Sequence, residues 1–259
     1  MKQARDNGWM SGSALVAERI GSAIVGGTYP AGGRLPLEAD LARQYGASRN
    51  TVREAMRLLA AKNLVEIAPR RGTTVQPRDT WNILDRDVLA WSASELREDP
   101  GFMEELVRMR FAIEPSTAQE AARNATDAEI ATIRARYAAM EQLVDHQHQP
   151  ESLEADLAFH LAVAQATHNR FLKSVADSII HAMRLNFQRL FEQPNTFADN
   201  LGNHRLVMEA ISARNPEAAF SASLRLLERS HDETRRLFQT PPQAGKTPTV
   251  QHGERGDTP

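Results

Sequence analysis

Apolar residues recur at three- and four-residue spacings through nearly the whole chain. They alternate with polar ones at one place, residues 65–75. That single change of period limits what the chain can form to helices with one small two-stranded element. Leu15, Val16, Ile20, Ala23 and Ile24 mark a first helix, ended by Gly26, Gly27 and Pro30. "YPAGGRLP" reads as a turn. Leu37, Leu41 and Tyr45 share one face of a second helix, which Gly46 stops. Ser48 can cap a third helix running to about Asn63, with Val52, Met56 and Leu59 turned inward. Val65 and Ile67, then Thr73 and Val75, alternate around a turn holding Pro69 and Gly72, the pattern of a hairpin. Three helices and a hairpin, in this order, make a winged helix-turn-helix. Pro77 closes the unit, so the first domain is expected at 1–78.

From Asp79 to about Gln239 the helical period continues, with breaks near Pro100, Asn124–Thr126, Gln149–Pro150, His168–Asn169, Pro194–Asn195 and Asn215–Pro216. A linker helix is expected over 79–98. A bundle of six or seven helices is expected over 99–240. The stretch 241–259 is rich in Pro, Gly and Thr and poor in apolar residues, the composition of a disordered tail. The fold class is therefore mainly α: an N-terminal winged helix-turn-helix and a C-terminal all-α bundle.

At 259 residues the chain can bury a core without staples, and it has no cysteine for disulfide or thiol chemistry. No apolar run approaches the roughly 18–20 residues of a membrane helix. "MKQARDNGWMSGS" lacks the apolar core of a signal peptide. A cytoplasmic protein is expected. Charge is divided unevenly. Residues 1–78 hold 12 Lys and Arg against 6 Asp and Glu, whereas residues 79–259 hold 19 against 27. A basic head on an acidic body points the head at a polyanion.

The head's cations are placed for DNA. In a helix-turn-helix the first residues of the second motif helix reach base edges in the major groove. Here these are Ser48, Arg49, Asn50, Thr51 and Arg53. Arg49 and Arg53 are one turn apart, so one helix face presents both guanidinium forks, which match guanine O6 and N7. Arg70 and Arg71 stand at the hairpin tip beside Gly72, where a wing reaches backbone or minor groove. Glu54 is the only acid between Asp40 and Glu66. The stretch "GGRLPLEADLARQYGASRNTVREAMRLLAAKNLVEIAPRRGTTV" resembles the DNA-binding domain of the GntR family of bacterial regulators. It shares with that family a Leu-Pro, an acidic residue, Leu-Ala, Ser-Arg, a Val-Arg-Glu-Ala run and a Gly-x-x-Val wing. The resemblance implies DNA contacts by Arg49 and Arg53, helped by Ser48, Thr51 and the wing. One departure is Ala39, where many relatives carry a polar or basic DNA contact; Arg34 or Arg43 is expected to replace it.

The body carries a polar constellation. Arg110 and Glu114 are four apart, as are Asp156 and His160, and His204 opens a later helix pattern. An Asp and a His one turn apart lean the same way and can grip one cation, and oxygen with imidazole suits zinc, manganese or nickel. Alone, such a spacing is more often a surface ion pair. The combination resembles the ligand-binding (FCD) domain of the FadR subfamily within the GntR family, with Arg-x-x-x-Glu-Pro, Asp-x-x-x-His and a later His at the matching positions. The resemblance implies a divalent metal on Asp156, His160 and His204, and a small carboxylate effector held by the metal and by Arg110 and Glu114. Where the subfamily often has one more His, this chain has Leu226. His231, five residues on, lies about 140° around a helix and substitutes poorly. The linker "WNILDRDVLAW" narrows the resemblance to a branch that answers to sugar acids such as galactonate or gluconate. Arg184, Asn186 and Gln188 are candidate partners for their hydroxyls.

The expected function is a repressor that binds double-stranded operator DNA as a homodimer and is released by its effector. Two other functions fit less well. A metal-dependent hydrolase lacks a nucleophile or general base at a recognisable spacing. A non-responsive architectural DNA-binding protein leaves the body's polar residues without a role.

Overall fold

The computed structural model describes residues 12–96, 99–144, 150–186 and 196–239. Helices α1 (Gly12–Val25), α2 (Glu38–Tyr45) and α3 (Arg49–Ala61) precede strands β1 (Val65–Ala68) and β2 (Gly72–Val75). The strands pair antiparallel, with Val65 opposite Val75 and Ala68 opposite Gly72. Local chemistry sets the boundaries. Gly46, at φ +63°, ends α2 in the left-handed conformation that a Cβ disfavours. Ser48 Oγ accepts from the Thr51 amide at 3.1 Å and so caps α3. The inward residues Ile20, Ile24, Leu41, Val52, Met56, Leu59 and Leu64 are buried together as the head's core. Each such side chain contributes about 1.5–3 kcal/mol by leaving water.

The stretch expected as a turn does more than turn. The Gly32 amide donates to the Val75 carbonyl, the Val75 amide to the Gly33 carbonyl, and the Leu35 amide to the Thr73 carbonyl, each at 2.9 Å. Residues 32–35 thus lie along β2 as a short third ribbon, with Leu35 buried in the core. Glycine and proline on either side of this ribbon hide the alternation that would have marked it.

The linker also differs from expectation. A 3-10 turn (Arg78–Thr80) comes first, and α4 spans Arg86–Leu96. Asp85 sets this late start: its Oδ1 accepts from the amides of Asp87 and Val88 at 3.0 and 3.2 Å. Then follow α5 (Pro100–Asn124), α6 (Asp127–Glu141), α7 (Pro150–Gln165), α8 (Arg170–Asn186), α9 (Thr196–Ser212) and α10 (Pro216–Gln239). Asp99 caps α5, and Thr126 with Glu129 forms a reciprocal capping box on α6. The expected breaks coincide with these ends, except that Pro194–Asn195 lies outside the described residues, as does the expected disordered tail, 241–259. In the body α10 packs along α5 and α9, and α7 packs against α6, α8 and α5. That arrangement brings α5, α7 and α9 to one polar cluster. Among the described residues no helix is long and apolar enough to cross a membrane.

Candidate functional site

On the head, Ser48, Arg49, Asn50 and Arg53 are exposed along the first turns of α3, and Thr51 is half-buried. Ser48 and Thr51 are engaged with each other, their hydroxyl oxygens 2.8 Å apart at the cap. Arg53 is tied to the neighbouring helix: its Nη2 donates to Glu38 Oε2 at 2.9 Å. Glu38 therefore fixes the direction of one of the two forks, a partner that spacing along α3 alone gives no sign of. Arg34 sits on the short third ribbon, bridged to Thr74. Arg43 is exposed and paired to Asp40.

The hairpin tip is strained. Pro69 precedes Arg70, which sits at φ +62°, and Gly72 sits at φ +88°. A left-handed conformation costs a non-glycine residue roughly 1–2 kcal/mol. Arg70 is held there nonetheless, exposed at the tip with Arg71.

In the body, Arg110, Asp156 and His204 are buried. Glu114 takes a two-pronged hydrogen bond from Arg110, whose Nη1 also donates to Ser230 Oγ at 3.3 Å. Burial alone would raise the Glu114 carboxyl, but the Arg110 guanidinium and the His160 imidazole outweigh it and hold Glu114 well below the usual carboxylate range. Burial also pushes Asp156 up, and the His204 and His160 imidazoles with Arg110 outweigh it there too.

The two histidines are oriented alike. His160 turns Nδ1 to Glu114 Oε2 at 3.2 Å and Nε2 towards Asp156 Oδ2 at 3.7 Å. His204 places Nδ1 3.0 Å from the Asn200 carbonyl. A carbonyl only accepts, so Nδ1 carries the proton and a neutral His204 keeps its lone pair on Nε2. That buried Nε2 lies 3.0 Å from Asp156 Oδ1. A buried imidazole nitrogen this close to a carboxylate oxygen needs a cation, a proton or a metal ion, between them. Ligand atoms of Asp156, His160 and His204 all lie within 4.8 Å of one another. Two imidazole nitrogens and a carboxylate oxygen, each imidazole steered by an acceptor on its far nitrogen, fit a divalent transition metal.

A small cavity adjoins this cluster. Glu114 and His160 stand at its polar end, and Ile113, Val163, Ile179, Ile180, Val207 and Leu226 line the rest. Leu226 thus occupies a wall of the cavity. His231 is not in the cluster and packs edge-on against Phe111, ring centres 6.1 Å apart. Arg184 is not among the residues lining this cavity: its guanidinium is half-exposed and held by Glu154 at 2.6 and 2.8 Å. The Asn186 side chain and Gln188 lie outside the described residues.

Residues 13–75 match the bacterial regulatory proteins of the gntR family, and residues 105–229 match the FCD domain. The galactonate operon transcriptional repressor of Escherichia coli (strain K12) is 36% identical over 220 residues, 84% of this chain and 93% of that protein. The chain belongs to the GntR family. It is a transcriptional regulator with a DNA-binding head and an effector-binding FCD body, and the relatives and both domains are those of regulators rather than enzymes. The putative L-lactate dehydrogenase operon regulatory protein of E. coli (strain K12) is 30% identical over 228 residues, 86% of each chain. Among solved structures, Lar of Listeria monocytogenes shares the fold with a TM-score of 0.61 at 17% identity, over 89% of this chain and all of that one.

Proposed function

We propose that this regulator is a repressor that holds operator DNA as a homodimer and releases it when a small carboxylate occupies the body. The observation that carries the reading is the convergence of two imidazole Nε2 atoms and the Asp156 carboxylate beside a cavity, in a body tied to a DNA-binding head. Asp156, His160 and His204 would hold a divalent metal, zinc or similar, which would supply positive charge for a carboxylate. Glu114 orients His160, and Arg110 fixes Glu114 while adding positive charge behind it. Sugar acids such as galactonate or gluconate are the first members of the class to test. The resemblance of the linker to a branch that answers to sugar acids supports them, and a relative is named for the galactonate operon.

On the DNA side, Arg49, Asn50 and Arg53 read the major groove, with Ser48 and Thr51 at phosphates. Arg34, Arg70, Arg71 and Gly72 form the flank and the wing. Two-fold symmetry matches two heads to two half-sites. The head is residues 1–78, the linker 79–98 and the effector domain 99–240. Coupling runs through α4. Ile179 and Ile180 line the cavity, and the adjacent His181 meets the Arg86 carbonyl at 3.3 Å, where α4 begins. Occupancy of the cavity can therefore bias the position of α4, and with it the spacing of the heads.

Footprinting on the DNA flanking the protein's own gene, with and without a panel of carboxylic acids, tests this. A protected pseudo-palindrome that one acid uncovers, and that His160→Ala protects permanently, is the expected result. Protection unchanged by every acid, or unchanged acid response in His160→Ala, contradicts it.

A further inference from the structure

Leu37 stands at the N-cap of α2, where its side chain serves neither the helix nor the core. Its backbone is extended (φ −61°, ψ 150°) and its side chain makes no capping hydrogen bond. Serine, threonine, asparagine or aspartate at this place would cap the helix. Leu35, two residues earlier, is buried in the head's core, whereas Leu37 is 70% exposed and follows an exposed Pro36.

A single leucine on a surface is ordinary. This one borders the surface read above as facing DNA. The next residue, Glu38, holds Arg53 of α3 at 2.9 Å. The acids that open α2 are both paired, Glu38 with Arg53 and Asp40 with Arg43. Arg34, three residues before Leu37, is exposed. The start of α2 therefore presents an apolar side chain with arginines close by in the chain and across the Glu38 pair. In a helix-turn-helix the first motif helix crosses the DNA backbone beside the groove that the second one enters. Thymine offers an apolar group in that groove, its C5-methyl. We infer that Leu37 packs on a thymine methyl in each half-site and adds a thymine preference to the bases read by Arg49 and Arg53. The inference rests on α3 as the groove-reading helix. Burial of one methyl group corresponds to about a fourfold preference.

The test uses the full-length protein and a synthetic duplex of the DNA it protects beside its own gene. Each thymine in turn is replaced by deoxyuridine, which removes only the methyl, and fluorescence anisotropy reads the affinity. At one thymine per half-site, uracil should lower wild-type affinity about fourfold. Leu37→Ala should bind the thymine duplex that much more weakly and be indifferent to uracil at the same position. Leu37→Ser, which returns a capping hydroxyl to α2, should show the same indifference in a folded head. No uracil penalty at any position, or a penalty that persists undiminished in both variants, overturns the inference. Arg49→Ala on the same duplex separates the two readings. If no uracil penalty appears and Arg49→Ala binds weakly, Leu37 alone loses its role; if Arg49→Ala binds normally as well, α3 loses the groove too.

Discussion

Val88 and Leu89 are neighbours on α4 and are both buried, but in different cores: Val88 in that of the head and Leu89 in that of the body. One helical turn therefore belongs to two domains. Residues adjacent on a helix point about 100° apart, so α4 cannot roll or slide without disturbing both. The same helix carries Trp91, whose ring covers Gly21 of α1, and Asp85 at its start accepts from Lys62, at the end of the recognition helix, at 2.8 and 2.9 Å.

Gly21 tests the docking of head on linker. A Cβ there would run into the Trp91 ring. Gly21→Ala is expected to cost about 1–3 kcal/mol and to reduce effector-driven DNA release while leaving effector affinity unchanged. Calorimetry and gel shifts on the same preparation check this; intact coupling in a folded Gly21→Ala protein would contradict the lever.

Asp85 gives a pH signature. Burial raises its carboxyl, but the Lys62 ammonium and the amides of Val88 and Asp87 outweigh that and hold it below its ordinary value. A carboxyl depressed in the folded state contributes stability above its unfolded pKa, about 3.9, and loses it as pH falls through the lower folded value. Lys62 shifts the other way: burial lowers its pKa, and Asp85 and Asp87 outweigh that, so its share persists into the alkaline range. Asp85→Asn keeps a capping oxygen and loses the charge. It should melt lower than wild type by about 1 kcal/mol near neutrality, and the gap should close below pH about 4. A gap independent of pH would show that the ion pair does not carry the difference.

Glu114→Gln removes the carboxylate that faces His160 Nδ1. Loss of the charge on such a partner typically lowers metal affinity about 10–100-fold. Competition against a chromogenic zinc chelator measures it, and unchanged affinity would remove Glu114 from the metal's surroundings.

The two arginine groups separate by strain. Arg49→Ala should weaken operator binding by about 1–3 kcal/mol with selective loss at one base position. Arg70→Gly should also weaken it, while melting at or above the wild-type temperature, because glycine accepts the left-handed backbone at φ +62°. Lower stability together with full operator affinity would place Arg70 outside the wing contact.

Much of this was legible in the sequence, and the failures have physical reasons. The period of apolar residues located the helices and the hairpin, because Val52, Met56 and Leu59 must share a face to be buried. Spacing placed Asp156 and His160 together because they share one helix, while His204 comes from another helix and was joined to them only through family resemblance. Residues 32–35 were missed since a ribbon flanked by glycine and proline shows no alternation. The partner of Arg184 is not legible because sequence gives no direction in space: Glu154, thirty positions away, holds its guanidinium. Glu38 and the Asn200 carbonyl were invisible for a related reason, since each acts through a contact that only packing creates.

The most direct measurement is a gel-shift titration of zinc-loaded, chelator-treated and His204→Ala protein on the DNA flanking its gene, with a saturating carboxylate effector. The account predicts that all three bind the DNA alone and that only the zinc-loaded wild type lets go when the acid is added. Release by the acid in the chelated or His204→Ala protein would contradict the claim that Asp156, His160 and His204 form the effector's metal seat.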